Sequence, residues 1–390
     1  MRPKNNLLAK PASYPKRVEE IDILKAFAIF FVVAAHAGAP FSKFVYLFHV
    51  AVFFIASGFF YKESYASNLS SVSKFSLKKL KDLWMPYFVW TAIFILLNNV
   101  FIHIQVYTDN PDILLYVQGP FIGTHEYMTG LDMLKEIVGA AFFIYDTQIG
   151  GALWFLKILC PIAIAYCIGD FIVKSILRKH VLTVQLTASI LFLCIGCYLS
   201  CKIKSFQLVL SYYCLFYLGH LLGMYKENIE NWTQKTFLGI FFISFAVLLL
   251  LNQMGSIDLA ANHYKNPAFL LITSFCGWWW LYSVSILICK SSGVIPWLKQ
   301  MLLFVGRRTL PILIFHFLAF KIVNVIVCKV YGLPLFCVAA FPRLYGEKAA
   351  WWLVFTLVGV IVPIMLYEIY KMALTSCFKN RTNPKNIKPL

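Results

Sequence analysis

Ile21-Asp22-Ile23-Leu24-Lys25-Ala26-Phe27-Ala28-Ile29-Phe30-Phe31-Val32-Val33-Ala34-Ala35-His36-Ala37-Gly38-Ala39 is the stretch that decides the fold. A helix crossing a bilayer needs roughly 20 mostly apolar residues. This run has that length and still carries an aspartate, a lysine and a histidine. It has no clear small-residue cleavage site and a second apolar run follows at once, so it reads as a retained span and not as a cleaved signal. Nine similar runs follow, at about 44–61, 84–102, 152–173, 181–199, 206–224, 235–252, 268–289, 309–329 and 349–373. The expected fold is all-α: a polytopic membrane protein of about ten transmembrane helices. The stretch 132–144 is apolar but charged at its start and reads as an interfacial or re-entrant helix.

Composition agrees. Of 390 residues, 60% are hydrophobic and only 13% charged. Soluble globular chains run about 45–50% apolar and about 25% charged. An ordinary soluble enzyme, a disordered chain and a secreted disulfide scaffold are therefore excluded. The eleven cysteines are odd in number and mostly lie in apolar runs. They give no disulfide framework, and Cys194, Cys197 and Cys201 read as small buried side chains.

The net charge of +18 would mark a soluble protein as a nucleic-acid binder. In a membrane protein it sets orientation instead. With the N-terminus inside, inner segments hold 23 Lys and Arg against six acids, and outer segments hold eight of each sign. Both termini are expected in the cytoplasm. The tail 1–20 precedes a bundle spanning 21–373, the long loop 103–151 is external, and 374–390 forms a second cytoplasmic tail. The expected location is a bacterial cytoplasmic membrane, with the lipid bilayer as partner and no nucleic acid.

Ionisable groups inside spans are costly and are functional candidates by default. Lys25 and His36 are eleven residues apart, close to three turns, so they share a face at ~16 Å along the axis. Lys25 near the inner mouth suits an arriving anion, or it snorkels to lipid headgroups. His36, deeper, suits proton transfer, since imidazole titrates near neutrality. His49 starts the return span at a matching depth and is expected to neighbour His36. The alternative for both is an interhelical hydrogen bond. His220 reads as structural, Lys157 as snorkelling outward, and Asp170 and Glu368 as solvated near the inner ends. Lys74, Lys78, Lys79 and Lys81 form a basic amphipathic segment before the third span. They anchor to the lipid surface or bind the phosphates of a nucleotide cofactor. Arg307 and Arg308 carry the same two readings. No Gly-rich phosphate loop, zinc signature or Gly-x-Ser-x-Gly elbow is present, and no metal is expected.

Local motifs go further. Ile21-Asp22-Ile-Leu-Lys25 with Val32-Val33 and His36 resembles the first helix of the membrane acyltransferase 3 family: a basic residue, ten residues, then His. Lys in place of the commoner Arg resembles fucose 4-O-acetyltransferase-like members. Phe48-His49 through Ser57-Gly58-Phe59 resembles the family's second-helix signature. Leu83-Trp84-Met85-Pro86-Tyr87 resembles its Leu-x-x-Pro-Tyr motif, with Asp82 where a base is usual. Leu153-Trp154-Phe155-Leu156 resembles its Trp-Phe-Leu motif, and Gly306-Arg-Arg-Thr309 with His316 resembles its late Gly-x-x-Ser…His stretch.

The resemblance implies an O-acyltransferase. It would move an acyl group, usually acetyl, from cytoplasmic acyl-CoA to a hydroxyl of an envelope or exported carbohydrate, with no permanently bound cofactor. On that reading His36 and His49 are catalytic. Lys25, Lys78, Lys79, Lys81, Arg307 and Arg308 meet the acyl-CoA, and Trp154 and His316 meet the acceptor. The alternative class is a transporter or flippase for a polysaccharide-related substrate. Transporters also carry intramembrane His and charges, but no inverted repeat is visible here.

Overall fold

The structure, a computed structural model, describes residues 18–117, 124–177, 180–199, 204–290, 293, 296–345 and 348–381. Most of the two expected tails, and Cys201, lie outside the described residues. In chain order the helices are α1 (Glu19–Ala37), α2 (Ser42–Tyr46), α3 (Ala51–Phe59), α4 (Leu69–Lys79), α5 (Met85–Leu96), α6 (Asn98–His103), α7 (Ile113–Tyr116), α8 (Gly130–Ala141), α9 (Trp154–Leu177), α10 (Val181–Tyr198), α11 (Lys204–Met224), α12 (Lys226–Glu230), α13 (Gln234–Met254), α14 (Pro267–Lys290), α15 (Pro296–Gly306), α16 (Thr309–Tyr331) and α17 (Trp351–Arg381). Among the described residues, strand is confined to a two-stranded antiparallel hairpin, β1 (Ile257–Asp258) with β2 (His263–Tyr264). The protein is an all-α polytopic membrane protein.

Helix α1 is the axis of the bundle. It holds no Gly or Pro, and it stops at Gly38, which turns left-handed (φ 85°) and donates its N–H to Ala34 and Ala35. Twelve of its 19 residues are buried, and of the others only Phe30 is exposed. A helix buried all round belongs inside a bundle, and α14, α15, α16 and α17 all pack against α1.

Eight of the ten expected spans are helices long and apolar enough to cross a membrane. The other two differ for identifiable reasons. α1 carries Glu20, Asp22 and Lys25 within its length, which its central position accommodates. The third span is broken at Leu97 into α5 and α6. α10 and α13 bury only 22% of their apolar windows, against 61% for α11, α14 and α16, so they form the lipid-facing rim.

The basic segment before the third span is helical. α4 runs directly into a π-helical turn, Leu80–Trp84, and then into α5, making one helical rod over 69–96. The chain from Glu63 into this rod climbs antiparallel along α9: Lys174 Nζ donates to the Glu63 carbonyl (3.4 Å), Cys167 Sγ to Tyr65 (3.5 Å) and Cys160 Sγ to Lys79 (3.8 Å). α8, within the expected 132–144 region, starts with a Thr129–Asp132 capping box. It lies antiparallel beside α5 and α6, tied by Trp84 Nε1 to the Ala141 carbonyl (3.1 Å) and Asn99 Nδ2 to that of Met128 (2.9 Å).

Two charged groups are placed differently from their expected positions. Asp170 is buried, accepting from Tyr61 Oη (2.8 Å) and Lys174 Nζ (2.9 Å). Lys157 is buried too, paired with Asp146 instead of snorkelling. The reason is common to both: an ionised group at membrane depth is stabilised by a partner within the protein. Glu368 stays part-exposed, as expected, and accepts from Arg308 Nε at 2.6 Å. His220 is a buried interhelical partner, its Nδ1 2.7 Å from Tyr166 Oη.

Gly219 and Gly223, four residues apart on α11, let its backbone touch that of α3. A Cβ on Gly219 would overlap the Ile55 carbonyl, one on Gly223 that of Phe59, and one on Gly58 that of Phe216. Small residues at this spacing are how membrane helices approach closely. We expect Gly219→Val to destabilise the protein by about 2–3 kcal/mol, as overpacking does, and to shift it toward aggregate in size-exclusion chromatography in detergent. Gly239→Ala, where no atom lies within 4 Å of the new methyl, is expected to elute like the parent.

Candidate active site

A cavity of about 800 Å³ follows one face of α1. Lys25, Ile29, Val32 and His36 line it at successive steps of four, three and four residues, the spacing of one helical stripe. At the Lys25 end it is closed by Ser57 and Phe60 of the second expected span, Thr309 of α16, and Asp82 and Leu83 of the π turn. At the His36 end it is walled by Tyr46, His49, Asp258, Phe341 and Arg343. A π turn inserts one extra residue per turn and so re-aims side chains, a device frequent at functional sites.

The most ordered chemistry is a histidine pair. His36 Nδ1 lies 3.0 Å from His316 Nε2, the two rings stacked within 6° of parallel. His316 Nδ1 lies 2.9 Å from the Ile312 carbonyl and 3.2 Å from that of Leu313. Carbonyl oxygens only accept, so this nitrogen carries the proton, and His316 Nε2 is left as an acceptor. His36 Nδ1 then donates to it, which leaves the lone pair on His36 Nε2. That nitrogen has no hydrogen bond among the described residues, on a side chain lining the cavity. Phe317 packs on both rings, at centroid distances of 4.8 and 4.1 Å.

The expected partner of His36 was His49. The structure gives that place to His316, which lies 280 residues away. His49 lines the same cavity, but its Nδ1 is tied 2.7 Å from the carbonyl of Val45. His316, expected to meet the acceptor, is fully buried and outside the cavity lining, and its ring contact is with His36. Trp154 does line the cavity.

Among the expected cations, only Lys25 lines the cavity. Its Nζ is 2.8 Å from Asp22 Oδ1, and Arg307 Nε is 3.4 Å from Asp22 Oδ2, so one carboxylate gathers both. Gly306 allows this by lying against the Asp22 backbone. Arg308 is directed away, paired with Glu368 and stacked 3.6 Å above Phe304. Lys78, Lys79 and Lys81 lie on the rod beneath Asp82, with Lys79 over the Phe75 ring (5.3 Å). Nearby, a hydrogen bond from Lys299 to Glu19 (2.8 Å) holds that ammonium above the ordinary lysine range.

Other residues had no local signal. Lys321 Nζ donates to the carbonyls of Ala339 (2.8 Å) and Ala340 (2.9 Å), and Asn324 Nδ2 to those of Val338 (2.9 Å) and Ala340 (3.1 Å). These two side chains, one helical turn apart in α16, hold a non-repetitive segment that delivers Phe341 and Arg343 to the cavity. Asp146 reaches the same cavity from the stretch before α9 and neutralises Lys157. The polar Lys321 and Asn324 in an otherwise apolar span were the only hint.

The site is thus a cavity within a helical membrane bundle, with the Nε2 of an oriented histidine presented into it. The chain belongs to the Acyl_transf_3 family of acyltransferase domains, whose model matches residues 18–368. It is thus a multi-pass membrane acyltransferase. No curated protein and no solved structure matches the chain.

Breaking the Lys157–Asp146 pair from the exposed side leaves a buried ammonium without its counter-ion. Asp146→Ala is expected to cost about 3 kcal/mol, read as a lower melting temperature in detergent. Adding Lys157→Met should recover most of that loss, since an apolar side chain of similar length needs no counter-ion.

Proposed function

We propose that the protein transfers an acyl group, acetyl in the simplest case, from cytoplasmic acyl-CoA to a hydroxyl of an envelope or exported carbohydrate. The observation that carries this reading is the cavity itself, which joins a lysine at one end of α1 to a histidine with an available lone pair at the other. The charge bias supports a cytoplasmic Lys25 end. Donor phosphates meet Lys25, with Lys78, Lys79 and Lys81 adding positive potential nearby. Arg307 shares the Asp22 carboxylate with Lys25 and so keeps a second cation at this mouth.

The thioester arm lies along the Ile29–Val32 stripe. His36 Nε2 accepts the proton of the acceptor hydroxyl as its oxygen attacks the thioester carbonyl. The C–S bond then breaks, and the proton passes from Nε2 to the leaving thiolate. His316 keeps His36 in the tautomer this requires, as an orienting group does for a catalytic histidine. Trp154 offers a face on which a sugar ring can stack.

A histidine base contributes about 10²–10⁴-fold. In proteoliposomes given labelled acetyl-CoA and envelope glycan, His36→Ala is expected to lose transfer by that factor while inserting normally. His316→Ala, which removes only the orienting partner, should lower kcat by about 10- to 100-fold with the KM for acyl-CoA unchanged. Full transfer by His36→Ala would overturn the mechanism. Glycan translocation without CoA release would favour a flippase.

A further inference from the structure

The hairpin β1–β2 reaches the cavity from outside the spans. Three consecutive residues of it, Asp258, Leu259 and Ala260, line the cavity at its His36 end. The hairpin is held firmly. Ile257 pairs with Tyr264, and Asp258 with His263. Tyr212 of α11, fully buried, donates its hydroxyl proton to the Leu259 carbonyl at 2.6 Å. Asn262 Nδ2 donates to the Gly196 carbonyl of α10 at 2.9 Å. Ile257, Leu259 and Tyr264 are themselves buried.

Three carboxylates line the cavity: Asp82, Asp146 and Asp258. Two of them have a cation. Lys78 Nζ lies 4.0 Å from Asp82, and Lys157 pairs with Asp146. Asp258 has no ion pair among the described residues. Its Oδ1 accepts from the N–H of Ala261 at 3.1 Å, a bond inside the hairpin turn that orients the carboxyl group. Its Oδ2 has no hydrogen bond among the described residues. An ionised carboxylate only accepts, so this oxygen calls for a donor from a ligand. Hydrogen bonds to a charged acceptor are roughly twice as strong as neutral ones.

The same cavity holds an aromatic platform tied to the same hairpin. The Trp154 ring lies 6.5 Å from that of Phe54, and Phe54 lies 5.4 Å from Tyr212, which binds Leu259. A sugar offers what these two groups take: an apolar ring face and a rim of donors. We propose that Asp258 selects the acceptor, its Oδ2 accepting hydrogen bonds from the sugar's donor groups, the hydroxyls of a neutral sugar or the ammonium of an amino sugar, while Trp154 takes the ring face. The proposal rests on the acyl-transfer reading for the acceptor's role, but sugar binding tests it separately. Asp258 holds the acceptor away from the reacting hydroxyl, so it governs affinity and leaves proton transfer at His36 unchanged.

Asparagine is the informative replacement. It keeps an oxygen for the Ala261 N–H, while the charge and the second acceptor are lost. The test is equilibrium dialysis of the purified full-length protein in detergent with labelled methyl glucoside and methyl glucosaminide. The wild type is expected to bind at least one of them saturably, and Asp258→Asn to bind it about 10- to 100-fold more weakly, the size of a hydrogen bond to a charged group. Asp258→Glu should keep part of the affinity. Tighter binding of the glucosaminide assigns the donor to an ammonium, and tighter binding of the glucoside assigns it to hydroxyls. Asp258→Asn is expected to melt like the wild type. A lower melting temperature with unchanged sugar affinity would make Asp258 a structural residue only and overturn the proposal. So would equal binding by wild type and Asp258→Asn, or no saturable binding of either sugar by the wild type. In proteoliposomes with labelled acetyl-CoA and envelope glycan, Asp258→Asn should raise the KM for glycan by the same factor and leave the KM for acetyl-CoA unchanged. Absence of transfer by the wild type would count against acyl transfer, and sugar affinity indifferent to Asp258 against the role of this residue alone.

Discussion

The bundle is arranged around one constraint: α1 carries Asp22, Lys25 and His36 through a region where ionised or polar groups cannot face lipid. Each must be met from inside. Asp22 meets Lys25 and Arg307, and His36 meets His316. Meeting them requires that α1 be enclosed by α14, α15, α16 and α17, which leaves α10 and α13, without acids inside their spans, at the rim. The same logic recurs in smaller form at Lys157 with Asp146, and at Asp170 with Tyr61 and Lys174. Polar side chains therefore decide which helices are central and which are peripheral, while apolar bulk fills the space between them.

This enclosure also builds the active site. A helix so enclosed has no broad solvent face. The cavity along Lys25, Ile29, Val32 and His36 is a gap left in the packing around it. Its walls come from distant parts of the chain: the π turn at 80–84, the residues before α9, the hairpin at 257–264 and the segment held by Lys321 and Asn324. Regular helices set the frame, and irregular backbone supplies most of the polar lining. Non-helical backbone at such depth is tolerated where protein or a cavity covers it.

What the sequence made legible follows from this. Hydropathy runs located the helices because length and apolarity are local properties, and the Lys25–His36 stripe was legible because a helix carries its own register. Depth along a span was legible too, and His49 does line the same cavity as His36. Azimuth was not. Which way a helix faces is decided by partners hundreds of residues away, and His316 won the place on that ground. The segment before Trp84 reads as a basic amphipathic element, and Lys74, Lys78 and Lys81 do lie exposed. Its continuity with the third span was not legible: Pro86 sits in the first turn of α5, where the π turn before it keeps the rod continuous. Arg343 lay in no span and in no motif, so only the folded chain reveals it.

Lys25 and His36 belong to the same unbroken helix, with no glycine or proline between them. Whatever rearrangement admits a substrate, these two side chains travel as one body, and the distance between them is a property of the peptide backbone. α1 is thus a ruler built into the enzyme: it fixes how far a ligand held at one mark must extend to be read at the other, independently of how the surrounding helices breathe.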